Sequence, residues 1–159
     1  MARTSRAAIA QTPTYEDIFS RLHNCSADPN FLALVVGGVH DSPDPRQVKY
    51  FDLDHNTPAS EVLKGGARGQ EAAWWPDMGF NNRILSIHTV AELMLAQEKG
   101  GDGPLTTSGC TNVLFLKVNG EIVMALLRWQ RGTFSWHIKH KPTDEYHLLG
   151  SRTRVFYAP

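Results

Sequence analysis

Asp52-Leu53-Asp54-His55 places two carboxylates and an imidazole within four residues. Side chains alternate along an extended segment, so Asp52 and Asp54 share a side while His55 turns off the end. Such a group can hold a divalent cation, or let His55 act as a base on water. The same residues also suit a strand end whose acids cap the turn opening at Asn56-Thr57-Pro58. Cys110 is a second candidate, since His137 and Arg128 follow on later segments. A nucleophilic thiol needs a nearby base and a lowered pKa. A small buried thiol at a loop–strand junction is the competing assignment.

The third candidate is a charge asymmetry. Residues 116–159 carry seven Lys and Arg against three acids, Glu121, Asp144 and Glu145. The basic residues include Arg128, Lys139, Arg152 and Arg154. Alternation turns His137 and Lys139 away from an apolar face of Phe134, Trp136 and Ile138, and sets Arg152 and Arg154 on one side of the last strand. Such a face suits a phosphate, an RNA or an acidic protein surface, or else simply keeps a sheet edge soluble. His137 and His140 are three apart, so they converge on a metal only if the strand ends at Lys139. The fourth candidate is aromatic. Trp74, Trp75 and Phe80 lie in a long irregular segment, where they are either a binding hot spot or a plug pinning the loop to the core. A hot spot predicts that Trp74→Ala or Trp75→Ala weakens partner binding by ~2 kcal/mol or more with the melting temperature nearly unchanged.

The elements that must position these residues follow from patterning. Thr14 caps a helix over 15–24. Phe31–Val36 is an apolar run of strand length, and Gln47–Leu53 alternates as a strand. Pro58–Lys64 reads as one or two helical turns. Ile84–Lys99 keeps Ile84, Ile87, Val90, Ala91, Met94 and Leu95 on one helical face and is stopped by Gly100-Gly101. Asn112–Val118 and Glu121–Trp129 form a hairpin across Asn119-Gly120. Thr133–Lys139, Tyr146–Leu149 and Arg152–Tyr157 complete the strands. The expected fold is a single α+β domain at 14–159, with an antiparallel sheet of five or six strands packed by two helices, behind a flexible arm at 1–13.

Two resemblances attach to these residues. Asp54-His55, the Gly65-Gly66 loop, Asn81-Asn82 and a helix bearing His88 and Glu92 resemble the ββα-metal (HNH-like) nucleases over about residues 47–95. That likeness implies His55 as base, Asn82 as the residue orienting it, and Asp54 with His88 or Glu92 as ligands of one divalent metal, with Asp52 beside them. The family's usual cysteine pairs and its tight second hairpin are absent from this stretch. A Cys110–His137–Arg128 set resembles that of the sortases, without their surrounding pattern.

Composition bounds the rest. The chain has 159 residues, sixteen Lys and Arg balancing sixteen Asp and Glu, and two cysteines. That excludes a strongly basic coat protein, a disulfide framework and a disordered or collagen-like chain. No apolar run approaches the ~18 residues of a membrane span, and the N-terminal segment lacks the apolar core of a secretory signal. Walker A, dinucleotide-binding and nucleophile-elbow patterns are missing. The leading expectation is a cytoplasmic, non-catalytic binding protein of accessory or inhibitor type, of bacterial or phage origin. It carries no cofactor and engages another protein, with nucleic acid at the basic sheet face and homodimerisation as open alternatives. The opposing expectation is the metal-dependent nuclease. A third is a small-ligand binder with an apolar pocket between the sheet and the 84–99 helix.

Overall fold

A computed structural model describes residues 14, 19, 25–35, 48–64, 84–118, 120–143 and 147–157. The aromatic candidates Trp74, Trp75 and Phe80, the orienting residue Asn82, the Gly65-Gly66 loop and the 1–13 arm lie outside the described residues. So does most of the predicted first helix, of which Thr14 makes a β-bridge and Phe19 is helical and fully buried.

The centre of the molecule is a hairpin, β5 (Asn112–Val118) and β6 (Glu121–Gln130). Its register closes with Val118 opposite Glu121, and Gly120 adopts φ 81°, as a two-residue turn requires. Both strands are apolar without alternation: Val113–Leu116 and Val123–Leu127 are buried throughout. Continuous apolar runs of this kind belong to strands covered on both faces. The hairpin is joined by β1 (Cys25–Ala27), β2 (Lys49–Asp52), β4 (Ile84–Leu85), β7 (Ser135–Pro142) and β9 (Arg154–Tyr157). Among the described residues these make a seven-stranded sheet of order β1-β7-β6-β5-β9-β2, with β4 also beside β5.

The β5–β6, β6–β7 and β2–β9 pairings are antiparallel, whereas β1, β4 and β9 join β7, β5 and β5 in parallel. One parallel pair has a plain cause. A helix, α3 (Ile87–Ala96), separates β4 from β5, and a strand that returns through a helical crossover re-enters the sheet parallel. The predicted 84–99 helix is therefore shorter, because Ile84 and Leu85 pair with Phe115 and Leu116 before Ser86 caps its start. Of its predicted apolar face, Val90, Ala91 and Met94 are buried, while Leu95 is exposed. The helix ends at Gln97 and Gly100. Gly100 has φ +70°, and a Cβ there would stand 2.4 Å from the Trp129 ring.

The Phe31–Val36 strand is a correction. This run is helix α1 (Pro29–Val35). Asp28 accepts from the Asn30 amide through its carboxylate at 2.8 Å and from the Leu32 amide through its carbonyl at 3.0 Å. Pro29 stands at the first helical position, where its missing N–H costs nothing. An Asp-Pro start therefore overrides the strand-like apolar run. Phe31 and Val35 bury one side of α1, with Phe19 edge-on to Phe31 at 5.1 Å.

Two cores result. On one face of the sheet, α1 and α3 pack on Leu114, Leu116, Ala125, Leu127, Trp136, Ile138 and Phe156. The space between α3 and the sheet is filled by these side chains. On the other face, helix α2 (Ala59–Lys64) supplies Ala59, Val62 and Leu63 against Val113, Phe115, Met124, Leu126 and Val155. A small ribbon of β3 (Thr57–Pro58) and β8 (Leu148–Leu149) extends that second layer. Among the described residues no helix is long and apolar enough to cross a membrane.

Candidate functional site

Among the described residues, the second layer does not reach the whole of its face. Met124 and Leu126 lie beneath it, but further along β6 the side chains on that face become Arg128 and Gln130, both exposed. The antiparallel register puts Arg128 opposite His137, Leu126 opposite Lys139 and Gln130 opposite Ser135. Directly opposed residues share a face, so Arg128, His137 and Lys139 stand together where the apolar cover ends.

A cavity of about 370 Å³ opens there. Its far rim is the 147–150 segment, with Thr111 and Thr153 closing one end. The rim is fixed by backbone bonds: Ala59 N–H donates to His147 O at 2.8 Å, Thr153 N–H to Gly150 O at 3.2 Å, and Arg152 N–H to Leu53 O at 2.7 Å. The Asn56 side chain adds a bond from the Ser151 amide at 2.9 Å. On the near side, Arg128 Nε donates to Gly109 O, which draws the guanidinium toward the loop before β5 and orients its fork. That loop is itself held by buried Asn112, which bonds Thr106 N, Thr106 O and Leu127 O. Among the described residues, the lining holds two permanent cations, two imidazoles (His137 and His147), an amide and two hydroxyls, with no carboxylate. His147, Gln130, Thr111 and Thr153 are its unanticipated members. Only for Gln130 was there a sequence signal, since it falls two residues beyond Arg128 on the same strand face.

The other basic candidates are used elsewhere. Arg154 lies on the opposite face of the sheet and forks onto Asp52, Nε to Oδ1 at 2.7 Å and Nη2 to Oδ2 at 3.1 Å. Its Nη1 donates to Pro104 O at 2.8 Å, and the guanidinium covers the Tyr50 ring at 4.1 Å. The hydrogen bond to Asp52, outweighing the cost of burial, holds Arg154 still more firmly protonated. Arg152 does not share a strand side with it: β9 starts at Arg154, and Arg152 sits in the preceding turn at φ 69°. Phe134 is likewise not part of the Trp136/Ile138 face. It occupies the β6–β7 turn at φ 49°, 71% exposed.

Asp52, then, is tied to Arg154, whereas Asp54 bonds His55 Nδ1 in the exposed turn after β2. His88 and Glu92 lie on α3, half-buried. Among the described residues no three His, Cys, Asp or Glu side chains gather closely enough to hold a metal ion. His137 and His140 do not converge, because β7 continues to Pro142. His140 therefore faces the first core, 6.2 Å from the Phe31 ring.

Both cysteines are free. Cys110 is close enough to Arg154 to interact electrostatically with it, and is not part of the cavity lining that holds His137. The Cys110–His137–Arg128 set is therefore not assembled at that cavity. Burial pushes the Cys25 thiol up to about 12. Iodoacetamide at pH 8 is expected to spare Cys25 in the folded protein and to reach it once urea unfolds the chain. Because burial favours the neutral thiol, its contribution to stability is complete below the ordinary thiol range. It should be lost as pH rises from about 9 toward 12, visible as a falling urea midpoint.

No protein-family model, curated protein or solved structure matches this chain.

Proposed function

We propose that this protein is a non-catalytic binding module that receives an anionic group of its partner in the β6–β7 cleft. The supporting observation is the lining itself: Arg128 and Lys139 with His137 and His147 around a cavity of about 370 Å³, with no carboxylate in the lining among the described residues. That volume falls in the range of ~300–1,000 Å³ typical of ligand sites. A planar guanidinium fork, held at Nε and with no partner at its two terminal nitrogens among the described residues, suits a phosphate or carboxylate. Calorimetric titration with pyrophosphate should show saturable binding that weakens steeply between 50 and 500 mM salt, since the site faces solvent and its charges are screened. A flat titration at low salt would remove the reading.

A second reading rests on Asp54 and His55. A carboxylate on Nδ1 fixes the imidazole tautomer and leaves Nε2 free to accept a proton from water, the arrangement of an oriented general base. Plasmid DNA and total RNA incubated with Mg²⁺, Mn²⁺ or EDTA test it. Metal-dependent cleavage that His55→Ala abolishes would establish a phosphodiesterase. Intact nucleic acid under every condition would leave the pair as a turn cap.

A further inference from the structure

We infer that the anionic group is the backbone of a single-stranded nucleic acid, and that Phe134 supplies a stacking platform for one of its bases. The inference rests on the cleft reading above and adds an observation that reading does not use. Phe134 is the most exposed large apolar side chain among the described residues, at 71%. It is held at φ 49°, a left-handed conformation that strains a non-glycine residue. Among the described residues no core packing offsets that strain, since the core face of β7 begins at Trp136.

The position is specific. Phe134 adjoins Ser135, whose cross-strand partner is Gln130 at the open end of the cleft. His137 lies three positions further along the chain, at most ~10 Å away, within the span of a dinucleotide. Around the ring the turn offers hydrogen-bonding groups in place. Thr133 Oγ1 is 2.6 Å from Ser135 Oγ and 3.5 Å from Gln130 Oε1. Arg131 is exposed in the same turn. A cationic trough that tracks phosphates and ends on an exposed aromatic face is how single strands are held without base-specific hydrogen bonds. A duplex presents no free base face to such a ring. An acidic peptide would use the cations and leave Phe134 idle. Addition of a peptide strand along β7 is also hindered, because β1 already occupies residues 136–138 of its outer edge.

The test measures fluorescence anisotropy of a labelled twelve-nucleotide oligouridine and of a duplex of equal length, with pyrophosphate titrated in parallel. Wild type should bind the single strand at least tenfold more tightly than the duplex. Phe134→Leu, which keeps an apolar side chain but removes the ring, should weaken single-strand binding by about tenfold or more. It should leave pyrophosphate affinity unchanged, and Phe134→Trp should restore strand binding. Pyrophosphate bound without any oligonucleotide, or oligonucleotide affinity indifferent to Phe134→Leu, would overturn this inference and spare the cleft reading. Preference for a phosphorylated or polyglutamate peptide over oligouridine would do the same. Oligonucleotide bound as tightly after Arg128→Glu as before would instead show that the cleft is not the site.

Discussion

Trp136→Ala is expected to remove about 3–5 kcal/mol of stability, read as a fall in the urea midpoint at unchanged slope. Trp136 is the largest fully buried side chain among the described residues, 1% exposed, and two attachments meet on it. Its ring stands edge-on to Trp129 with centroids 5.1 Å apart. Its Nε1 donates to Gln97 O at 2.7 Å, just past the end of α3. The Gln97 side chain in turn holds the following loop, donating to Gly101 O and Leu105 O and accepting from the Leu105 amide. Truncation opens a cavity, leaves Gln97 O with the Gly100 amide as its remaining donor, and loosens the anchorage of α3 on β7. Trp136→Phe separates these effects: it keeps most of the volume, loses the hydrogen bond, and should cost about 1–3 kcal/mol. A domain of this size has ~5–15 kcal/mol in total, so the alanine variant should be close to half-unfolded on mild heating. A loss below 1 kcal/mol would mean that Trp136 is not the keystone of this core.

The second large effect falls on binding and not on folding. Arg128→Ala should weaken pyrophosphate binding by ~1.5–3 kcal/mol, the range for a hydrogen bond to a charged group. That corresponds to roughly ten- to 150-fold in affinity. Arg128→Glu should go further by adding repulsion to the loss. The melting temperature should barely move in either variant, because Arg128 is exposed and Gly109 O is the one hydrogen-bond partner described for its side chain. Arg154→Ala provides the contrast. It lies across the sheet, held by Asp52 and Pro104, and should lower stability while leaving anion affinity intact. Equal losses of affinity in the two variants would indicate a nonspecific charge effect.

Local signals carried far in this chain, and long-range ones did not. Asn119-Gly120 gave the central hairpin, and alternation along β7 grouped His137 with Lys139, since both depend on neighbours in sequence. The β7 pattern misled at Phe134 because a left-handed turn residue breaks the alternation it was counted in. α1 was obscured by competition between two local signals, an apolar run and an Asp-Pro start, of which capping prevailed. The split between Arg128 and Arg154 had no local trace, because the Asp52 that claims Arg154 is 102 residues away. The 147–150 rim is likewise defined by bonds to residues near 53–59, so His147 had no sequence-level reason to be grouped with Arg128. The nuclease-like pattern drew Asp52, Asp54 and His55 together from adjacency alone. The fold splits it, giving Asp52 to Arg154 and leaving Asp54 with His55.

The strand order also sets a timetable. β9 lies between β5 and β2, so β2 has no seat in the sheet until the ninth strand is in place. At ~5–20 residues per second of synthesis, Tyr50 and Phe51 leave the ribosome roughly 5–20 s before Val155 and Phe156 can receive them. The β5–β6–β7 meander needs no such delay, since its partners are adjacent in the chain. Assembly should therefore begin at the meander and finish at β2, whose closure over so long a loop is the slow and entropically costly step. Until β9 arrives, Asn112–Leu114 of β5 have an open flank, and Tyr50 and Phe51 wait without their strand partner, which makes this late-completed edge, and not the cleft, the place where a nascent chain is most exposed to mispairing.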